Sequence, residues 1–214
     1  MTDQPSTPSE PPYGQPLREG DVDADPVRQF AAWFKAAGEA GVSAPEAVAV
    51  ATASADGAPS VRMVLCKQFD DDGFVFFTNY DSRKGAELTE NPRAALLFHW
   101  DVLGRQVRID GRVEPVRPEE TERYVRSRPK GSQISALASP QSQVVESRAW
   151  LEQRVVELST RYESSEPPIP SRWGGFRVIP DTFEFWQHRA DRLHDRLRYR
   201  REPSHGWTID RLAP

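Results

Sequence analysis

A chain of 214 residues with 28 Lys and Arg against 32 Asp and Glu carries a formal net charge of −4. That balance gives no overall positive field to draw it to nucleic acid or an acidic membrane, so any anion site must be local. The single cysteine, Cys66, excludes a disulfide framework and reads as a buried thiol within the apolar run VRMVLCK.

The opening MTDQPSTPSEPPYGQP has neither the basic start nor the apolar centre of a secretory signal, and no apolar run reaches the length of a membrane span. A cytoplasmic location is expected. Residues 1–24, rich in Pro, Ser, Asp and Glu, have little to bury and read as a disordered arm ahead of one domain over 25–214. Order is expected from DADPVRQFAAWFKAAGEAG, where Asp25 caps a helix, Pro26 opens it, and Val27, Phe30, Phe34 and Ala37 recur at helical spacing. From residue 47 the pattern becomes β-like: AVAVATAS, APSVRMVLCKQF and GFVFFTN, separated by the turn signals ADGAP and DDDG. A short helix over DSRKGAELTENP follows, capped by Asp81 or Ser82 and closed at Pro92. RAALLFHW and RQVRIDGRVEPV read as strands around the loop DVLG. RPEETERYVRSRP reads as a helix, and SRAWLEQRVVELSTRYES as a second one with Trp150, Leu151, Val155, Leu158 and Tyr162 on one stripe.

After EPPIPS, the alternation in WGGFRVIPDTFEFWQ predicts strand. DRLHDRLRYRR fits strand or helix, and GWTIDRLAP closes a hairpin with its turn at EPSHG. About six to eight short strands with helices inserted late predict a mainly β protein with helices, a small barrel of α+β class.

The chain has no Gly-rich phosphate loop and no G-x-S-x-G, and its four histidines (His99, His188, His194, His205) are too dispersed for a metal motif. What recurs is Arg or Lys beside hydroxyl and amide residues: VRMVLCK, TNYDSRKG, GRQVR, RSRPKGSQ, SPQSQ and RLHDR. Guanidinium forks, hydroxyls and helix N-termini match phosphate oxygens. Ser82, Arg83 and Lys84 fall in a predicted first helical turn, where cations oppose the macrodipole unless an anion lies beside them. Arg62 and Lys67, five apart, would face opposite sides of a regular strand unless a bulge intervenes. Phe77 and Trp186 stand close to these charges and could pack a flat ring, although core packing is the commoner use of such residues.

RMVLCK, FFTNYDSRKG, GRQV, SRPKGSQ, PQSQ, WGGFRV, EFWQ and RLHDR…IDRLAP occur in one order from about residue 25 to Pro214. Together they resemble the pyridoxamine 5′-phosphate oxidase family. The resemblance implies an FMN-binding split β-barrel, a homodimer with FMN at the subunit interface, and oxidation of pyridoxine 5′-phosphate or pyridoxamine 5′-phosphate to pyridoxal 5′-phosphate. O2 would be the acceptor, with H2O2 released and ammonia from the amine. Carried over by position, the FMN site would comprise Arg62, Met63, Val64, Leu65, Cys66, Lys67, Phe77, Thr78, Arg83, Lys84, Gln106, Gln141, Ser142, Trp186 and Arg196. The substrate site would comprise Lys67, Tyr124, Arg128, Ser132, Arg192, Leu193 and His194. Lys67, Tyr124, Arg128 and Ser132 would hold the vitamin phosphate. Arg192 and His194, as the catalytic pair, would share one side of a strand and face the pyridine ring. Family members often carry arginines ahead of a tyrosine in the N-terminal arm. Here SEPPYGQPL has Tyr13 with no arginine before it, so a lid role is not carried over.

Two other functions fit parts of this pattern. A related split-barrel flavoenzyme, as in phenazine pathways, would oxidise a different ring, against which the full phosphate set argues. A non-enzymatic flavin or pyridoxal phosphate binder would leave Arg192 and His194 without a task. Arg198, Arg200 and Arg201 read as a solvated face.

Overall fold

A computed structural model of the chain describes residues 14–203 and 206–214. It contains helices α1 (Pro26–Glu39), α2 (Arg83–Glu90), α3 (Pro118–Ser127), α4 (Lys130–Ala138) and α5 (Arg148–Arg161). The strands are β1 (Ala47–Ala53), β2 (Pro59–Leu65), β3 (Gln68–Asp70), β4 (Gly73–Asn79), β5 (Arg93–Trp100), β6 (Arg105–Pro115), β7 (Trp173–Gln187), β8 (Asp195–Arg201) and β9 (Trp207–Arg211). The strand order is β2-β1-β5-β6-β7-β4-β3, with β8 pairing with β7 and β9 with β8. No helix among the described residues is long and apolar enough to cross a membrane.

The chain divides into two compact units, one of residues up to Val50 with Ala95–Gly111 and Pro180–Pro214, the other of Ala51–Ala94 with Arg112–Ile179. In the first unit the carboxylate of Asp25 accepts from the Val27 amide at 2.8 Å and Pro26 opens α1, as its sequence predicts. The helix buries Phe30, Trp33 and Ala37. Phe30 meets Phe98 of β5 edge-on at 4.8 Å, and Trp33 meets Phe185 of β7 at 5.2 Å and 89°. The arm expected over 1–24 falls partly outside the described residues, Tyr13 included. From Gly14 onward the described chain makes specific contacts: Leu17 is buried, its amide donates to Asp195 at 3.1 Å, and the Asp23 carbonyl accepts from the Tyr199 hydroxyl at 2.7 Å.

β7 is one 15-residue strand that changes partner. It pairs antiparallel with β4 over Trp173–Val178 and with β8 over Thr182–Gln187. Pro180, which has no N–H for a ladder, lies between the two registers, and its carbonyl accepts from Arg201 at 2.9 Å.

In the second unit the register sets Phe77 opposite Gly175 and Thr78 opposite Gly174. A Cβ on Gly175 would stand 2.9 Å from the Phe77 ring, so only glycine admits that ring onto β7. Ser82 caps α2, its hydroxyl accepting from the Gly85 amide at 3.4 Å. The stripe expected on α5 has the right spacing, yet no residue of the helix is buried, and Val156 is 64% exposed. α4 is a helix that the sequence reading passed over, treating KGSQ only as a basic cluster.

Candidate functional site

The second unit holds a cavity of about 390 Å³. β2 supplies Arg62, Met63, Val64 and Leu65, and Lys67 follows. β4 supplies Phe77 and Thr78, α2 Lys84, α3 Tyr124, and Arg128 comes just after α3. Gln141 and β7's Trp173 complete much of the wall. Arg62 and Lys67 reach the same cavity because β2 stops at Leu65. The chain turns there, the Cys66 thiol goes inward to donate to the Gln68 carbonyl at 3.3 Å, and β3 begins at Gln68.

Lys84 is 7% exposed, and its ammonium donates to Thr78 Oγ1 at 2.9 Å, Ser82 Oγ at 3.1 Å and Gln141 Oε1 at 2.8 Å. These are neutral acceptors. Burial, together with repulsion from Arg62, pushes the Lys84 pKa down to about 8, with Glu87 opposing the shift. Glu87 itself accepts from Ser60 at 2.5 Å, from Thr52, and from Arg83 Nε at 2.8 Å, with Arg62 Nη2 at 3.5 Å. Burial would raise its pKa, but these hydrogen bonds and the Arg62 charge hold it at about 2. The Glu87 carboxylate thus faces three cations, Arg62, Arg83 and Lys84, a concentration of donors that suits a bound anion.

Beside this cluster, three rings lie nearly parallel. Tyr124 stacks on Phe77 at 3.9 Å and 12°, and lies 5.8 Å from Trp173 at 1°. The Arg128 guanidinium sits over Trp173 at 4.9 Å, and its Nη1 is buried with no hydrogen-bond partner among the described residues. A buried guanidinium nitrogen without an acceptor is costly, and an anion in the cavity would satisfy it. Burial raises the Tyr124 pKa, with Arg128 opposing, so the phenol remains a proton donor.

Not every expected residue reaches this cavity. Arg83 is exposed and bound to Glu87, Cys66 is turned away, Ser142 lies outside the wall with φ 68°, and Ser132 is half-buried beyond the lining. The wall instead takes Ser135, Ala136 and Ser139 from α4 and the turn after it. Ile134 and Ala138, four apart and both buried, are the sequence signal that would have revealed α4.

The first unit has its own cavity of about 320 Å³, where Gln106 of β6, Trp186 of β7 and Arg196 of β8 meet Leu97, Arg108, Glu184 and Pro214. Arg196 donates to Glu184 at 2.8 Å and to the Ala213 carbonyl at 2.8 Å, and Arg108 approaches the same carboxylate at 3.1 Å. The hydrogen bond to Glu184 raises the Arg196 pKa, so the guanidinium stays charged.

The placement expected for Arg192 and His194 on one strand side is corrected by the structure. β8 begins only at Asp195, and Ala190–Arg192 form a 3₁₀ turn in which Asp191 and Arg192 take φ of 56° and 63°. Left-handed backbone at two non-glycine residues breaks the period of two. Leu193, 70% exposed, projects outward. The His194 ring packs 4.6 Å from Trp186 and 5.1 Å from His188, and its Nδ1 accepts from the Arg189 amide at 3.2 Å. Arg198 and Arg200 bind Asp210 at 3.0 and 2.8 Å on the partly exposed face expected of them.

Residues 34–162 match the family model described as pyridoxamine 5′-phosphate oxidase, and residues 173–214 match the pyridoxine 5′-phosphate oxidase C-terminal dimerisation region. The chain belongs to the pyridoxamine 5′-phosphate oxidase family. A pyridoxine/pyridoxamine 5′-phosphate oxidase of Burkholderia multivorans is 56% identical over 200 residues, covering 92% of this chain and 93% of that one. A protein of the same name from Trichormus variabilis is 54% identical over 198 residues, covering 92% of each. Among solved structures, PhzG from Burkholderia lata 383 in complex with tetrahydrophenazine-1-carboxylic acid superposes with a TM-score of 0.88 at 34% identity, covering 94% of this chain and 99% of that one. A pyridoxamine 5′-phosphate oxidase-related, FMN-binding protein of Nostoc punctiforme shares the fold at a TM-score of 0.70 and 16% identity, covering 90% of this chain and all of the other. The split β-barrel class expected for the chain is the class of this oxidase family.

Proposed function

We propose that this oxidase-family member is an FMN-dependent enzyme that converts pyridoxine 5′-phosphate and pyridoxamine 5′-phosphate to pyridoxal 5′-phosphate, with O2 as acceptor and H2O2 released. It would act in the cytoplasm, as a homodimer with FMN at the subunit interface and residues 25–214 as one functional domain. The observation that carries the reading is the cavity of Arg62, Lys67, Lys84 and Arg128 around the parallel rings of Phe77, Tyr124 and Trp173. Four cationic side chains around one cavity and an orphaned Arg128 nitrogen fit phosphate groups, and flat walls fit a flat heterocycle.

Bound FMN supplies a two-electron acceptor that O2 can reoxidise. The protein's part is binding and orientation. Arg62 and Lys84, with Thr78 and Gln141, would hold the cofactor, joined by Gln106, Trp186 and Arg196. Lys67, Tyr124, Arg128 and Ser132 would hold the vitamin phosphate and so fix the ring for reaction. Arg192 would orient the substrate, with His194 beside its polar substituents. Arg196, kept cationic by Glu184, would place positive charge where negative charge develops.

The dimer is supported by β2, an edge strand whose Val61, Met63 and Leu65 stand 69, 63 and 43% exposed on one face. An apolar row on a free edge asks for a cover, and a second copy supplies one. The likeness to PhzG favours a second reading, a flavoenzyme acting on a larger ring acid; the orphaned Arg128 nitrogen favours a phosphorylated substrate.

The test is an aerobic assay of the purified protein. Its flavin absorption is recorded, pyridoxine 5′-phosphate is added, and pyridoxal 5′-phosphate and peroxide are followed together. Equal formation of both products is expected. A yellow protein that turns over neither phosphorylated vitamer would reject the substrate assignment and move it to the ring-acid reading.

A further inference from the structure

His194 and His188 stand together at the turn that follows β7. Their ring centroids are 5.1 Å apart, and both flank Trp186, at 4.6 and 6.1 Å. His188 is outside the residues carried over from the family resemblance.

The hydrogen bond on His194 fixes its chemistry. A backbone N–H only donates, so the Nδ1 that accepts from the Arg189 amide at 3.2 Å carries no proton. In a neutral imidazole the proton is then on Nε2. The donor is itself well anchored: the Arg189 side chain binds the Gly14 carbonyl and approaches Asp195 at 3.5 Å, while the His188 amide donates to the Gly104 carbonyl at 2.8 Å. Protonating Nδ1 would set one N–H against another and add a cation beside Arg189, Arg192 and His188. Asp195, the acid next in sequence to His194, is already bound to Arg211 at 2.6 Å and to the Leu17 amide at 3.1 Å. Burial, His188 and Arg192 all act against the charged form of His194.

We propose that the Arg189 amide holds His194 as the neutral Nε2–H tautomer, with His188 as a positioning residue that keeps the ring in register, so that His194 offers its ligand a hydrogen-bond donor and no free base. Resting on the oxidase reading, this assigns His194 to orienting an oxygen or ring acceptor of the substrate. Removal of a substrate proton then falls to another group or to solvent.

The experiment is two-bond ¹H–¹⁵N correlation spectroscopy of the full-length holoenzyme labelled at histidine nitrogen, without substrate, above the ordinary histidine pKa. Comparison with His194→Gln assigns the signals. The expected pattern is a protonated Nε2 and a bare Nδ1 for His194, becoming a mixture of tautomers in His188→Ala and returning to the single pattern in His188→Phe, which restores a ring. A proton on Nδ1 in the parent enzyme would overturn the tautomer assignment. A single unchanged pattern in His188→Ala, or no recovery in His188→Phe, would overturn the role of His188. Because the spectra are read without turnover, this result stands apart from the substrate assay.

Discussion

Replacing Lys84 with Met tests the charge ledger of the cavity. Lys84 is buried, and its fall from 10.5 to about 8 corresponds to a penalty on the order of 3 kcal/mol for the charged form among the protein groups around it. For a lysine with a depressed folded-state pKa, that penalty is fully present below pH 8. It fades as pH rises toward 10.5, because the unfolded chain then binds more protons than the folded one. A bound phosphate reverses the balance by favouring the ammonium, so FMN binding should take up a proton near the Lys84 pKa. The apparent FMN dissociation constant should therefore stay level from about pH 7 to about 8, then rise toward roughly tenfold per pH unit. Lys84→Met should weaken FMN about 10- to 100-fold at neutral pH, as for loss of a charge-assisted hydrogen bond worth about 1.5–3 kcal/mol, and should abolish the pH dependence. Flavin fluorescence quenching across that pH range reads both effects. An unchanged affinity in Lys84→Met, or the same alkaline rise in parent and variant, would refute the placement of the cofactor's anionic group at Lys84.

Arg192→Ala should lower turnover about 100-fold while leaving FMN content near that of the parent enzyme, because its turn lies outside the cavity that holds Lys84; equal losses of flavin and activity would contradict that separation. Phe30→Ala, at a ring with no exposure packed on Phe98 and Trp100, should cost about 3–5 kcal/mol in denaturant unfolding, and a change under about 1 kcal/mol would mean that α1 is not part of the core. Met63→Glu, on the exposed face of β2, should shift the protein toward monomer in light scattering and lower its flavin content; an intact dimer would place the interface elsewhere.

The early elements were legible because each carries its own punctuation. Asp25-Pro26 opens α1, Ser82 caps α2, and the apolar alternation of β4 and β5 sets their extent. α4 lacked such a mark: Pro129 at its N-cap offers no side-chain acceptor, and its Lys and Ser drew attention as ligand groups. The turn at Asp191 and Arg192 was hidden for a different reason, since left-handed backbone at Asp and Arg leaves no trace in a hydrophobic pattern. The cations of the site could be read from sequence, as phosphate chemistry restricts the residue types. The Phe77–Tyr124–Trp173 stack could not, because it depends on a register between β4 and β7 set almost a hundred residues apart along the chain.

That register sets Phe77 directly against Gly175. An alanine at 175 would push its methyl to 2.9 Å from the Phe77 ring and to 2.8 Å from Val116 Cγ2, so a smaller side chain at 77 would relieve only one of the two clashes. Positions 77, 116 and 175 therefore behave as one heritable choice: a lineage that places a side chain at 175 must make room at both 77 and 116, and a library that varies 175 alone will sample mostly misfitted walls.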